Sequence, residues 1–197
     1  MKILVVFALE EEHVSLHLDG AEIVEIFTGV GKTQSATAVA LAVTKHNPDL
    51  VLNIGTVGTY RHKVGDILVS RRFIDRDMQK LPMDLIKKDL DMQANSFGYG
   101  LKSIIDGTPS DHKVTINTGD NFVTCAEEDL GCDAVDMESF AVAWVCKQTE
   151  KPFLAVKYVT DVLGQNSISA WEEKLEHARL ALQKYFDENG MRLLATC

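Results

Sequence analysis

The sequence contains no run of about twenty apolar residues, the length that a membrane-spanning helix requires. It also has no surplus of basic side chains, because 20 Lys and Arg stand against 29 Asp and Glu, for a formal net charge of −9. Nucleic-acid backbones are bound by clustered Lys and Arg, so this balance argues against such a partner. Neither a membrane nor a nucleic acid is therefore expected to bind this chain.

Cysteine and histidine are sparse, and their spacing excludes the commonest metal sites. The six histidines show no metal-ligand spacing. The four cysteines contain no CxxC pair; they are Cys125, Cys132, Cys146 and Cys197. The apolar start of the chain is followed by Glu10, Glu11 and Glu12 and not by a signal-peptide cleavage site. We therefore predict a cytoplasmic protein with reduced thiols, no metal and no cofactor.

Two nucleotide-binding motifs are missing, although one stretch comes close. The segment "TGVGKT" at residues 28–33 ends like a P-loop, but Ile26 stands where that motif needs its first glycine. No G-x-G-x-x-G follows the first apolar run, which disfavours a dinucleotide-binding oxidoreductase. Triphosphate binding is therefore the weaker interpretation of "TGVGKT".

What the chain does contain is an alternation of apolar strands and helical segments. Its 197 residues, 46% of them hydrophobic, predict one domain over residues 1–197 with a substantial core. The pattern predicts helices at 32–45, 138–147 and from 169 onward, and strands at 2–8, 22–28, 50–54, 64–74, 114–117, 134–136 and 153–159. In the last helix an apolar stripe predicts core packing (Trp171, Leu175, Ala178, Leu182 and Tyr185). The fold class is α/β.

Acidic side chains recur where the predicted strands end. Glu12 follows the first strand, Asp136 and Glu138 follow "CDAV", and Asp161 follows "FLAVKYVT". Each acid alone has a structural explanation, because acids complement helix dipoles and cap turns. Ligands of open α/β sheets bind beyond the carboxyl ends of the strands. The coincidence therefore predicts an enzyme with an acidic cleft.

Six motifs, taken in order, resemble the nucleoside phosphorylase/hydrolase superfamily, and most closely its methylthioadenosine/S-adenosylhomocysteine nucleosidases. They are "ALEEE", "TGVGK", "NIGTVGT…KVGDILVS", "TGDNFV", "VDMESFAVA" and "KYVTDV", of which "VDMES" with "TDV" is the most specific pair. The resemblance implies a three-layer α/β/α fold around a central mixed, partly barrel-like sheet. It makes "TGVGK" a structural glycine turn and implies a homodimer that binds a small purine nucleoside.

The resemblance also implies roles for the acids. Asp161 is expected to be the general acid that protonates purine N7, and Glu12 the base that activates water on the opposite face of the sugar. Glu138 would accept hydrogen bonds from ribose hydroxyls, and its charge suits a developing oxocarbenium ion. Met137 would pack against the sugar.

Further residues complete the implied site. Phe122 would stack on the purine, and the backbone of Val123 would read the edge of the base. Thr56, where the family usually has Ser, would bond Glu138 or the water. Gly58 would let the backbone approach the ligand closely. Leu9 stands where the family commonly has Met.

Water is the predicted nucleophile, because this chain lacks the arginines with which the phosphorylases of this superfamily bind phosphate through paired N–H groups. Here the corresponding segments are "LEEEH" and Asn53-Ile54, and a carboxylate at Glu12 would repel phosphate. Arg61 is the one nearby cation considered, and we interpret it as a solvated loop residue.

Other functions stay open because the chain departs from the family pattern. "GTVGT" replaces "GSAGG", "TDVLGQNS" lacks a second acid, and residues 77–113, a stretch expected to help form the 5′ pocket or the dimer face, resemble the family least. Futalosine hydrolase shares the same motifs and is the main alternative substrate class. A non-catalytic nucleoside-binding protein is the alternative of another kind, although binding alone does not require Glu12, Glu138 and Asp161 together.

Overall fold

A computed structural model describes residues 1–92, 114–123, 131–164 and 167–194. The helices are α1 (Lys32–His46), α2 (Arg76–Gln79), α3 (Ser139–Gln148) and α4 (Ser167–Leu194), and a 3-10 turn spans Glu10–Glu12. The strands are β1 (Lys2–Phe7), β2 (Glu22–Phe27), β3 (Leu50–Thr59), β4 (Ile67–Ser70), β5 (Arg72–Asp75), β6 (Asp89–Asp91), β7 (Thr115–Thr118), β8 (Ala134–Asp136) and β9 (Phe153–Val162). The order of elements agrees with the predicted alternation.

The nine described strands form one mixed sheet that branches at β3. Along its main path the order is β2-β1-β3-β8-β7-β5-β6, and β9 joins β3 to β4. Strand β3 pairs in parallel with β1 near its start and with β9 along its length, but antiparallel with β8 at Gly58 and Thr59. The ends of β1, β3, β8 and β9 are thereby brought together.

Side chains alternate between the two faces of the sheet and make a core on each. Leu4 and Val6 of β1 pack in one core with α1 and α3, whereas Ile3, Val5 and Phe7 pack in the other with α4. This alternation follows from the period of two in a strand. It confirms the predicted α/β/α layering around a mixed sheet.

The glycine-rich segment "GTVGT" is part of β3, so the prediction of a strand ending at residue 54 and a turn after it is wrong. Glycines usually mark turns, but here they make room for neighbouring side chains. A Cβ on Gly55 would lie 3.0 Å from Glu12 Oε1, and one on Gly58 would lie 3.0 Å from Asp161 Oδ2. The glycines therefore let two carboxylates approach the strand.

Two further boundaries differ from the sequence prediction. The single strand expected at residues 64–74 is divided into β4 and β5, and Ser70 Oγ contacts the carbonyl oxygens of Arg72 and Val114 at the division. Strand β9 continues to Val162, so Asp161 lies within the strand and not beyond it. The expected 5′-pocket or dimer segment lies mostly outside the described residues, since 93–113 are not among them.

Cys132 and Cys146 are buried free thiols, and burial raises the pKa of Cys132 to about 11. Cys125 and Cys197 lie outside the described residues. None of the described helices combines the length and the hydropathy needed to cross a membrane. Over the same residues, His, Cys, Asp and Glu form no group of three or more that could hold a metal ion.

Candidate active site

A cavity lies where β1, β3, β8 and β9 end, and it brings the predicted site residues together. All nine line it: Leu9, Glu12, Thr56, Gly58, Phe122, Val123, Met137, Glu138 and Asp161. Leu9 and Glu12 follow β1, and Thr56 and Gly58 lie within β3. The remaining residues follow β7 and β8 or lie in β9. The structure thus places in one cleft residues that are up to about 150 positions apart in sequence, as expected where parallel strands end at one edge.

Glu12 is held in the cavity wall by one of its two carboxylate oxygens. Its Oε1 accepts hydrogen bonds from Thr56 N at 3.0 Å and from Thr56 Oγ1 at 2.8 Å. Its Oε2 is buried and has no hydrogen-bond partner among the described residues. Burial raises the pKa of Glu12, while Lys157 and the bonds from Thr56 oppose that rise. Thr56 was expected to bond Glu138 or the water. It bonds Glu12 instead of Glu138, so that expected partner is corrected.

Glu138 immediately precedes α3 and is fixed by the "TGVGK" turn. Gly31, whose φ of 98° is favourable for glycine, donates its N–H to Glu138 Oε1 at 3.0 Å. Lys32 of the same turn points its Nζ at Asp75 Oδ1 (2.9 Å) and Asp77 Oδ2 (2.7 Å). Because that ammonium is paired with carboxylates and the glycine amide holds Glu138, the segment is a structural turn and not a triphosphate site.

A buried ion pair lies beside these acids. Lys157, only 2% exposed, places Nζ 3.2 Å from Asp136 Oδ2. Asp136 Oδ1 also accepts a hydrogen bond from Thr118 Oγ1 at 2.6 Å. Burial and the neighbouring charge of Asp136 raise the pKa of Glu138 to about 7, and Lys157 and the Gly31 amide limit the rise. Removing Lys157 would leave the Asp136 charge uncompensated, so the cation is needed where the acids cluster.

This raised pKa predicts that Glu138 costs stability at neutral and alkaline pH. Between the ordinary pKa of about 4.5 and the raised pKa of about 7, the folded state keeps a proton that the unfolded state releases. The stability that protonated Glu138 contributes is therefore fully present below about pH 4.5, and it is lost as the pH rises through 7. We expect Glu138→Gln to keep the Gly31 contact and to remove about 1–3 kcal/mol of the fall in the free energy of unfolding between pH 5 and pH 8. Urea unfolding at both pH values measures the difference.

The matched control is Glu176→Gln, the same change at an exposed position of α4. Its unfolding free energy should follow the wild-type dependence on pH. Parallel curves for Glu138→Gln and wild type would show that the folded state does not raise the pKa of Glu138.

A β-bulge sets the direction of Asp161. Val57 pairs with Val159, but the next residue of β3, Gly58, pairs with Asp161, so Thr160 is the extra residue. Thr160 Oγ1 lies 2.8 Å from Asp161 Oδ1 and donates to it. Asp161 is 3% exposed and packs against Gly58, which has no Cβ to displace it. The sequence does not reveal the bulge, because apolar residues stand on both faces of "FLAVKYVTDV" and their spacing does not mark one residue as extra.

The segment assigned to the purine is supported by an arginine that the sequence analysis missed. Phe122 is 37% exposed at the cavity wall. Arg76 also lines the cavity and donates to the carbonyl oxygens of Asn117 at 3.1 Å and Asn121 at 2.5 Å. Arg61, the cation considered from the sequence, is 53% exposed and lies 3.9 Å from Asp133, as expected of a solvated loop residue. No sequence pattern marks Arg76, which directly follows β5 as the first residue of the short helix α2.

Trp171 was also missed, since it belongs to an apolar stripe. Ala178 and Leu182 of that stripe are buried in the core against β1, β3 and β9, as predicted. Trp171, however, lines the cavity and donates from Nε1 to Thr56 Oγ1 at 3.0 Å. The only signal in the sequence is a tryptophan near the N-terminus of an amphipathic helix. That signal does not distinguish a residue that packs in the core from one that lines the cavity.

Comparison with known proteins agrees with this geometry. The profile of the Phosphorylase superfamily matches residues 10–188. The 5′-methylthioadenosine/S-adenosylhomocysteine nucleosidase of Colwellia psychrerythraea strain 34H is 31% identical over 192 residues, covering 82% of this chain and 75% of that protein. The protein of the same name from Bacillus subtilis strain 168 is 29% identical over 191 residues, covering 81% of this chain and 77% of that protein.

Solved structures give the same result. The crystal structure of the Colwellia nucleosidase in complex with adenine has a TM-score of 0.80 at 25% identity, covering 98% of this chain and 96% of that chain. A futalosine hydrolase mutant of Helicobacter pylori has a TM-score of 0.79 at 18% identity, covering 96% and 97%, and shows the shared fold alone. With the profile match over most of its length and a relative of 31% identity, the chain belongs to the phosphorylase superfamily and, as its motifs predicted, to the methylthioadenosine/S-adenosylhomocysteine nucleosidases within it.

Proposed function

We propose that this protein hydrolyses the N-glycosidic bond of 5′-methylthioadenosine and S-adenosylhomocysteine, with water as the nucleophile. One observation carries the proposal: Glu12, which has one buried oxygen without a partner in the described residues, lines the same cavity as Asp161 and Glu138. Hydrolysis needs an acid, a sugar-binding charge and a base, and these three residues supply one of each. The nucleosidase relatives support the same reaction.

Asp161 is the proposed general acid. As the C1′–N9 bond breaks, its electron pair moves into the purine, and a proton from Asp161 reaches N7 and neutralises the leaving base. The bulge at Thr160 and the absence of a Cβ at Gly58 place this carboxyl in the cavity. Gly58 therefore serves the acid directly, in addition to its expected role of close approach to ligand.

Glu138 and Glu12 are the proposed partners of the sugar. Glu138, fixed by the Gly31 amide, accepts hydrogen bonds from ribose hydroxyls, and its charge stabilises the developing oxocarbenium ion. Glu12 takes a proton from water as the water oxygen bonds to C1′. Burial raises the pKa of Glu12, which makes its ionised form a stronger base than an exposed glutamate.

Apolar residues complete the proposed ligand contacts. Phe122 stacks on the purine, and the backbone of Val123 bonds the edge of the base. Met137 and Leu9, both partly exposed at the cavity, pack against the sugar and its 5′ substituent.

Water is favoured over phosphate by the charges around the cavity. Of the described lining residues, Glu12, Asp136, Glu138 and Asp161 are acidic, and Arg76 is the cation. Arg76 directs its two terminal nitrogens to backbone carbonyl oxygens, one of Asn117 in β7 and one of Asn121 in the purine segment. A phosphate dianion would therefore meet carboxylates where it needs a free guanidinium fork.

A phosphate-free assay tests the proposal. The purified protein is offered methylthioadenosine, S-adenosylhomocysteine, futalosine, adenosine and inosine, and the released base is measured. Adenine from the two thio-nucleosides is the expected result. Release from futalosine alone would change the substrate, cleavage only after phosphate is added would change the nucleophile, and no cleavage in either buffer would favour a nucleoside-binding protein.

We also propose that the protein works as a cytoplasmic homodimer in methionine salvage. The support is its membership of the nucleosidase family. A monomer mass in light scattering at micromolar concentration would contradict the dimer.

A further inference from the structure

We infer that Trp171 is a positioning residue for Glu12 and that it acts through the hydroxyl of Thr56. The inference deepens the proposed function and rests on the role proposed there for Glu12. Trp171 Nε1, Thr56 Oγ1 and Glu12 Oε1 form a chain of two hydrogen bonds, 3.0 Å and 2.8 Å long. These three residues are called the indole relay below.

The direction of both bonds is fixed by the chemistry of the indole. An indole N–H donates and cannot accept, whereas a threonine hydroxyl has one proton and two acceptor lone pairs. Thr56 must therefore receive the indole N–H on a lone pair, and its single proton is left for Glu12. Without the indole, the hydroxyl proton of Thr56 would be free to rotate toward other acceptors.

The consequence for Glu12 is a distinction between its two oxygens. Oε1 receives two donors, the hydroxyl and the backbone N–H of Thr56. Oε2 is buried and has no hydrogen-bond partner among the described residues. A carboxylate held in this way leaves one defined oxygen, Oε2, without a hydrogen bond to the described residues. That oxygen is the one we assign to the attacking water.

The indole relay joins three elements. Trp171 lies on α4, Thr56 on β3 and Glu12 on the 3-10 turn after β1, and α4 packs against both β3 and that turn. The charged groups that act on Glu12 from the surrounding elements are Lys157 of β9, which favours its ionised form, and Glu138 before α3, which disfavours it. The indole relay adds a neutral hydrogen bond that also favours the ionised form.

Trp171→Phe tests the inference, because phenylalanine keeps an aromatic ring at the cavity and removes the indole N–H donor, together with part of the volume of the indole. In the phosphate-free assay we expect kcat to fall about tenfold with KM changed less than about threefold. The acid limb of the kcat profile should move to higher pH, since the ionised form of Glu12 loses support. A rise in KM alone would instead mean that the indole is only a wall of the binding pocket, and it would overturn the inference.

Two further variants complete the test. Trp144→Phe makes the same change at the other of the two tryptophans, which is 39% exposed on α3, and it should leave kcat and its pH dependence unchanged. In a Thr56→Val background the N–H can no longer act through the hydroxyl, so Trp171→Phe should add little to the loss in kcat. Full additivity, or identical behaviour of the two Trp→Phe variants, would overturn the inference. Wild-type protein that cleaves none of the nucleosides would instead refute the proposed function.

Discussion

Asp161→Asn is expected to lower kcat by about 10²- to 10⁴-fold while the protein still binds adenine. Asparagine has the shape of aspartate, so Thr160 Oγ1 can still donate to its Oδ1, and the space beside Gly58 is still filled. The amide cannot transfer a proton to the leaving purine, however. The step that fails is therefore protonation of the base, and not its recognition.

The measurement pairs steady-state kinetics on methylthioadenosine with calorimetric binding of adenine. The control is Asp19→Asn, which makes the same change at an exposed position outside the cavity and should leave kcat unaltered. If Asp161→Asn retained more than about a tenth of wild-type kcat, Asp161 could not be the general acid. If adenine binding were lost together with kcat, its main role would be to hold the base.

A substrate with a different leaving group tests further whether Asp161 acts as the general acid. A riboside of 4-nitrophenol needs no proton on its leaving group, because the phenolate is stable at neutral pH. Asp161→Asn should hydrolyse this substrate at a rate much closer to wild type than its rate on a purine nucleoside. Equal losses on both substrates would place the defect elsewhere in the mechanism.

The fold was predictable because its signals are local and repeated. Strand β1 and helix α1 were located within one residue, since apolar runs and helical periodicity are set by neighbours in sequence. The pattern failed at "GTVGT", where glycine has two physical uses that sequence does not separate. A glycine can adopt the backbone angles that a turn requires. Because it has no Cβ, it can also leave room for a side chain from another element, as Gly55 does for Glu12.

The site was predictable for residues that stand at strand ends and in motifs, and less so for residues that act across elements. The expectation that strand ends meet at one edge predicted an acidic cleft, and the resemblance of the motifs to the family singled out Glu12, Glu138 and Asp161 within it. Trp171 and Arg76 reach the cavity from elements whose sequence pattern carries no chemical signal. Their contacts with Thr56 and Asn121 depend on how α4 and α2 pack, which a single sequence does not encode in any local pattern.

Glu12→Gln is expected to lower kcat by a similar factor, about 10²- to 10⁴-fold, through the other half of the reaction. The glutamine Oε1 can still accept both bonds from Thr56, so the turn at Glu10–Glu12 should keep its place. Its amide nitrogen then occupies the position of the oxygen that lacks a partner in the described residues, and it cannot remove a proton from water. Adenine binding should be retained.

Glu11→Gln is the matched control, because Glu11 is the preceding residue of the same turn and is exposed. It should leave kcat unchanged. In wild-type protein, activity should fall as the pH drops through the pKa of Glu12, which burial raises, because only the ionised form accepts the proton.

The riboside of 4-nitrophenol separates the two carboxylates. A base is needed whatever the leaving group, so Glu12→Gln should lose activity on the riboside as well as on methylthioadenosine, whereas Asp161→Asn should lose it on methylthioadenosine alone. If Glu12→Gln cleaved the riboside at the wild-type rate, water would not need Glu12. The Glu12 oxygen that lacks a partner in the described residues, and the contact with Thr56, would then serve only the packing of the turn against β3. Another group would have to accept the proton.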